Sequence, residues 1–419
     1  MKKLVSLLDK YNIPGGRYTY YPFHRHWNDD ITKTEWILNL TEKNPSKVDV
    51  YIHIPFCHSL CTFCGCNIKV MKSNCDNDVY IDRIKKEWSY YPKTLKVDTL
   101  YLGGGTPNFL TTEEIASLLK TFEFTEAPII SIEIDPRFLD KNDLIEYKKM
   151  GITRLSFGIQ DFNNVVLENI NRKQNEQEIL DLLNEAHLIG FESINVDLIY
   201  GLSFQTLESF EKTINSFKDC PVTSFSIYPF AKVPWQNNSQ KAFGEIQDFT
   251  LHDMNEFLSL ASERLTFFGF DYIGMGYFSK ERIDFDRNIM GFNKRTNEFL
   301  IGLGVSAIST SPLGHIQNEK IYVRYLQSIR EDSYLIFKSH KKSNAEHLRQ
   351  EFFKSVILKN KISKSAFELF RLEQTSERLK DILNDEIVHI NSESDLVISP
   401  VGRFFHKAIL QFFDSHFNY

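Results

Sequence analysis

An α/β fold is predicted for this chain: an incomplete parallel barrel with an N-terminal arm and a helical C-terminal domain. Three observations predict it. Strand-like and helix-like segments alternate from residue 47 to about residue 280. Roughly six such units fit in that span, too few for a closed barrel of eight. From Glu319 the pattern turns mostly helical, with two short strands near the end. The 419 residues therefore divide into an arm over 1–46, a barrel with its extension over 47–318, and a C-terminal domain over 319–419.

Each unit follows from local pattern. Residues 48–54 form a β-branched run that Pro55 stops. Residues 78–91 carry a helical period. Residues 97–102 read as a strand that runs into Gly103-Gly-Gly-Thr-Pro107. A helix over 112–122 starts at Thr111 or Thr112, with Glu114 placed for a capping box. Strands follow at 129–134, 154–159, 194–200 and 224–228, with helices at 144–150, on both sides of Asn171-Arg172, and at 207–217. Units of this length imply a parallel sheet with right-handed crossovers. Near the end, 387–390 and 396–399 are short strands around a polar turn, followed by a helix over 401–413, which gives the last domain its winged-helix-like outline.

Composition narrows the function. A chain with 42% hydrophobic and 25% charged residues fits a globular enzyme. The net charge of −6 argues against a nucleic-acid role, so the wing is expected to pack or to act as a lid. No apolar stretch reaches membrane-span length, and the apolar run after Lys3 is broken at Asp9, too short for an export signal. Free thiols without an export signal point to the cytoplasm. No feature demands a partner subunit, and a monomer is expected.

Four of the six cysteines fall in one short window: Cys57, Cys61, Cys64 and Cys66. The first three are spaced C-x3-C-x2-C, one thiolate short of the usual four-cysteine cluster. Three ligands leave one iron open, the condition for a reactive rather than a structural metal site. Cys66 stands as an alternative fourth ligand in a closed zinc or electron-transfer site. The loop follows the C-terminal end of a strand, where α/β sheets place their chemistry. Cys75 and Cys220 read as ordinary thiols.

The cysteine loop, Gly103 to Pro107, Glu133, Gln160-Asp161-Phe162, Asp197-Leu-Ile-Tyr-Gly201 and Gly302-Leu-Gly-Val-Ser-Ala-Ile308 together resemble one family closely. It is the oxygen-independent coproporphyrinogen III oxidase family of the radical S-adenosylmethionine (SAM) superfamily. The resemblance implies a partial (β/α)6 TIM-like barrel of the radical SAM type. It implies a [4Fe-4S] cluster on Cys57, Cys61 and Cys64, with SAM on the open iron. Tyr51, Phe63, Gly104, Glu133 and Ile308 match positions around the first SAM. Gly105, Thr106, Gln160, Arg172, Asp197 and Ala231 match positions around a second. In this family a radical from cleaved SAM takes hydrogen from a propionate side chain. Carbon dioxide and one electron then leave, and a vinyl group remains. A tetrapyrrole substrate and an electron donor such as flavodoxin or ferredoxin are implied. Cys66 is a candidate for handling the substrate radical. Arg17, Lys232, Arg287, Lys294 and Arg295 are candidate anchors for the substrate's carboxylates.

The chain departs from the family pattern where substrate would lie. Gly-Met-Asp-His-Phe is replaced by Gly274-Met-Gly-Tyr-Phe278, and His-Arg-Asn-Phe by Asp286-Arg-Asn-Ile289. Gly276, Tyr277, Asp286 and Ile289 thus remove an acid, two imidazoles and an aromatic. These changes keep open a related enzyme that uses two SAM molecules on another substrate, by C-methylation or on another tetrapyrrole. A haem-chaperone-like paralogue is a further alternative, although such relatives usually carry an aromatic at the position of Cys66.

Overall fold

The computed structural model describes residues 2–12, 18–72, 76–232, 240, 248–280, 297–372 and 375–417. β1 (Lys47–Ile54) runs into a two-strand ladder of β2 (Phe56–Cys57) and β3 (Lys69–Val70). β4 (Lys96–Gly104), β5 (Phe124–Ile134), β6 (Arg154–Gln160), β7 (Ser193–Tyr200) and β8 (Ser224–Pro229) are then added in turn, each parallel to its neighbour. With β1 they are the six parallel units expected. β9 (Asp271–Gly274) and β10 (Tyr277–Ser279) form an antiparallel hairpin on the β8 edge.

The opposite edge holds more than the sequence pattern showed. β11 (Leu300–Leu303) pairs parallel with β1, and β12 (Ile308–Thr310), β13 (Gly314–Asn318) and β14 (Ile336–Lys341) continue antiparallel. Among the described residues, these strands other than β2 and β3 form one twelve-stranded sheet with β14 and β9 at its edges. β14 lies past residue 319, in the stretch expected to be helical. Its sequence, Ile-Phe-Lys-Ser-His-Lys, lacks an apolar signature, and the arm covers its outer edge, with Asp29 N–H donating to the Ser339 carbonyl at 2.8 Å. β15 (Lys361–Ile362), β16 (Val388–Ile390) and β17 (Leu396–Ile398) make the expected wing, with one strand added.

Strand faces explain why the barrel has room inside. Ile130, Ile132, Leu155, Phe157, Ile194, Val196, Phe225 and Ile227 are buried in the hydrophobic core. The alternate positions Ser131, Glu133, Arg154, Ser156, Ser193, Asn195, Asp197 and Ser226 line an interior cleft. Branched apolar side chains fill the centre of ordinary barrels. Short hydroxyl and amide side chains leave this one hollow.

Candidate active site

Pro55 ends β1, so the cysteine segment leaves the sheet at its C-terminal rim. The glycine run that ends β4 passes directly beneath. Gly105 N–H donates to the Ile54 carbonyl at 2.7 Å and Thr106 N–H to that of Phe56 at 2.8 Å. A Cβ on Gly105 would stand 2.8 Å from the Pro55 and Phe56 carbonyl oxygens, so only glycine permits this approach.

The thiols sit in different environments. Cys57 is buried with the Thr106 hydroxyl 3.4 Å from its sulfur, and burial pushes its thiol up to about 12. Cys61 Sγ has Arg172 Nη1 at 3.7 Å and Arg137 Nη2 at 3.9 Å. Asp135 holds both guanidiniums, with contacts of 3.1 and 2.6 Å. Burial pushes the Asp135 carboxyl up, but Arg172 and Arg137 outweigh it and hold the group below the usual range. Cys66 N–H points at Cys64 Sγ from 3.4 Å, and a hydrogen bond from the Cys66 thiol holds Cys64 down, to about 7. Three thiols on one loop, with guanidinium and amide donors against two of them, fit an anionic iron–sulfur cluster.

Beside this loop lies a cleft of about 660 Å³. Glu133 Oε2 accepts the Gly104 N–H at 3.0 Å, and Oε1 accepts the Tyr101 hydroxyl at 2.9 Å. Burial, followed by the charge of Asp197, raises the Glu133 carboxyl to about 7. Asp197 accepts from Ser156 Oγ at 2.9 Å and Asn195 Nδ2 at 2.8 Å. His53 Nε2 faces the Asn67 carbonyl at 2.8 Å, so it donates, and Nδ1 accepts the Tyr51 hydroxyl at 3.1 Å. Burial pulls this imidazole below its ordinary range. Gly104 has φ +117°, and a Cβ there would stand 2.7 Å from the His53 ring.

Of the residues singled out in the sequence, Tyr51, Cys66, Gly104, Glu133, Asp197 and Ile308 line the cleft. Gly105, Thr106 and Arg172 sit against the cysteine loop instead. Phe63 packs on the Val166, Leu167, Ile170 and Leu202 cluster. The carbonyls of Phe63 and Ala231 both accept from Gln240 Nε2, at 3.1 and 2.9 Å. Gln160 stands where β6 slips register against β7, with φ +73°. Lys232 is exposed and pairs with Asp248. Arg17, Cys75, Asp286, Arg287, Ile289, Lys294 and Arg295 lie outside the described residues.

The structure adds His53, Tyr101, Asn195 and Tyr228 to the lining, and it places there Tyr277, one of the departures from the family pattern. The signal for Asn195 and Tyr228 was present in the polar–apolar alternation over residues 193–198 and 224–228. Tyr277 meets Tyr228 edge to face at 5.8 Å, and Gly276 beside it has φ +90°.

Comparison with known proteins agrees with this geometry. Residues 51–217 match the Radical SAM superfamily. The oxygen-independent coproporphyrinogen III oxidase of Salmonella typhimurium is 32% identical, over 98% of this chain and 95% of its own length. That of Escherichia coli K12 is 31% identical over the same shares. The solved structure of the Escherichia coli coproporphyrinogen III oxidase (HemN), a radical SAM enzyme, superposes with a TM-score of 0.86 at 30% identity. That match covers 96% of this chain and 98% of the solved one.

Proposed function

The chain belongs to the oxygen-independent coproporphyrinogen III oxidase family, and from this membership and the cleft we propose that it converts coproporphyrinogen III to protoporphyrinogen IX. Two propionates are decarboxylated in turn. Each loses one β-hydrogen, then carbon dioxide and one electron, and becomes a vinyl group. The observation that carries this reading is the three-thiol loop opening onto a cleft lined by Glu133 and Asp197.

Cys57, Cys61 and Cys64 would hold a [4Fe-4S] cluster with one open iron. Bound there, the cluster and SAM supply a carbon-centred radical able to take hydrogen from the propionate. The chain's own residues bind, orient and exclude water. Gly104 lets backbone approach the cofactor closely. Glu133, held by Gly104 and Tyr101, presents a fixed acceptor to ribose hydroxyls or an amine. Ile308 offers an apolar face to adenine. Gly105, Thr106, Gln160, Arg172, Asp197 and Ala231 would serve a second SAM. Arg172 pairs with Asp135 here, so it would reach a ligand carboxylate by sharing its fork. An electron carrier such as flavodoxin or ferredoxin supplies the reducing electron, and a monomer working in the cytoplasm completes the proposal.

Anaerobic incubation of reconstituted protein with coproporphyrinogen III, SAM and dithionite, followed by mass spectrometry, tests it. Two successive losses of carbon dioxide with two hydrogens are expected. A second reading, a related enzyme that uses two SAM molecules on another substrate, by C-methylation or on another tetrapyrrole, rests on Gly276 and Tyr277 in the hairpin beside the cleft. SAM cleavage with an unchanged or methylated tetrapyrrole would favour that reading and refute the first.

A further inference from the structure

Glu87 is fully buried on the helix Asn77–Trp88, outside the cleft. Its carboxylate accepts three donors. Oε2 takes the Gly304 N–H at 2.9 Å and the Tyr325 hydroxyl at 2.6 Å, and Oε1 takes Asn318 Nδ2 at 2.7 Å. Seven residues earlier on the same helix face, the Tyr80 hydroxyl accepts the Val305 N–H at 3.0 Å and donates to the His53 carbonyl at 2.7 Å. Two consecutive N–H groups of one turn therefore hang from a single helix face. The space is tight, since a Cβ on Gly304 would stand 2.5 Å from the Tyr80 oxygen. The same turn continues into Ser306, Ala307 and Ile308, which line the cleft.

We infer that Glu87 is a positioning residue: it sets the Gly304–Ile308 wall of the cleft, and through that wall the affinity for SAM. The inference rests on the functional reading above for the identity of the ligand. An ionised carboxylate is acceptor-only and matches three converging donors, whereas a carboxamide brings two donors of its own. The wall should hold best when Glu87 is charged. Burial lifts its carboxyl to about 7, against the pull of Tyr325, Gly304, Asn318 and Tyr334. The titratable groups that feel its charge are Tyr80, Tyr90, Tyr91, Tyr325, Tyr334 and Lys33. Lowering the pH through this range adds a proton to one carboxylate oxygen, which then donates as well as accepts and holds the converging N–H groups less well.

The test uses anaerobically reconstituted holoprotein. SAM affinity is measured by calorimetry between pH 6 and 8 for the wild type, Glu87→Gln and Tyr325→Phe. The wild type should bind more weakly as the pH falls. Glu87→Gln should keep its iron content, bind about tenfold more weakly at pH 8, and show a shallower pH dependence, the remainder being that of Glu133 in the cleft. Tyr325→Phe keeps the carboxylate and should move the midpoint of the pH dependence upward. Hydrogen exchange at the Gly304 amide should quicken in Glu87→Gln. A variant with wild-type affinity and slope, or unchanged protection at Gly304, would overturn the inference. The exchange measurement needs no cofactor. Failure of the functional reading would show as a wild type that binds no SAM, and failure of this inference as binding that Glu87 does not tune.

Discussion

At Gly276 the backbone turns with φ +90°, and a Cβ there would stand 2.6 Å from the Ile227 carbonyl oxygen. That carbonyl belongs to β8, and Ile227 N–H in turn donates to the Gly276 carbonyl. The missing acid of the family pattern is therefore not a side-chain loss that one substitution can repair. Gly276→Asp should lower thermal stability by about 1–3 kcal/mol and leave turnover no higher, as melting curves and product assays would show. Native melting with faster turnover would contradict the strain argument. The thiols make a second residue-scale prediction. Cys57→Ala, Cys61→Ala and Cys64→Ala should each lose cluster iron and SAM cleavage, while Cys66→Ser should keep the iron. Iron analysis after anaerobic reconstitution decides it, and iron loss in Cys66→Ser would make Cys66 a ligand. Single residues were legible where spacing carries the chemistry, as in C-x3-C-x2-C, or where a polar residue ends a strand, as with Glu133. His53, Tyr101 and Glu87 were not, because their partners come from sheet register and from distant segments.

Elements were legible to the extent that one face is apolar. β5 to β8 stood out because Ile, Val, Leu and Phe recur at every second position and pack outward. The residues between them line the cleft, since the same period of two turns serines, Asn195 and the two acids inward. Helix starts were close to their expected places where a cap announces them. Thr111 and Glu114 form the capping box, with Glu114 Oε2 accepting the Thr111 N–H at 2.8 Å. Helix ends were less legible: this helix stops at Leu119, short of the expected 122, where nothing in the sequence marks a C-cap. β11 was hidden in Leu-Ile-Gly-Leu, because a glycine inside a short apolar run weakens the strand pattern. Gly302 is needed there because a Cβ would stand 2.4 Å from the Ile308 carbonyl oxygen on the neighbouring strand. A glycine that serves close strand packing and one that serves a ligand look alike in sequence.

The three stretches separated by composition share one hydrophobic core. Leu7, Leu8, Tyr11, Tyr18, Tyr21, Trp36 and Leu40 of the arm are buried in the same cluster as the barrel and as Phe353, Val356 and Phe405 of the C-terminal region. Tyr18 and Tyr21 meet Phe353 edge to face at 4.8 and 5.1 Å. Their hydroxyls reach Asp414 and Ser415, each at 3.0 Å. Tyr11 and Lys10 both contact Asp385. Thr19 and Tyr20, between these anchors, line the cleft. The arm thus bonds to the chain's far end while its middle forms part of the cleft wall. Each large apolar side chain buried this way contributes about 1.5–3 kcal/mol, and a whole domain is stable by only about 5–15 kcal/mol. A chain reduced to residues 47–419 should therefore fail to fold cooperatively, rather than fold and merely lose affinity for substrate. Expression of that fragment, followed by circular dichroism and thermal melting, checks it. The full-length protein should melt in one transition and the fragment in none. A fragment that melted near the full-length midpoint would mean the arm is only a cover for the cleft, and that the barrel and the C-terminal region hold their shared core without it.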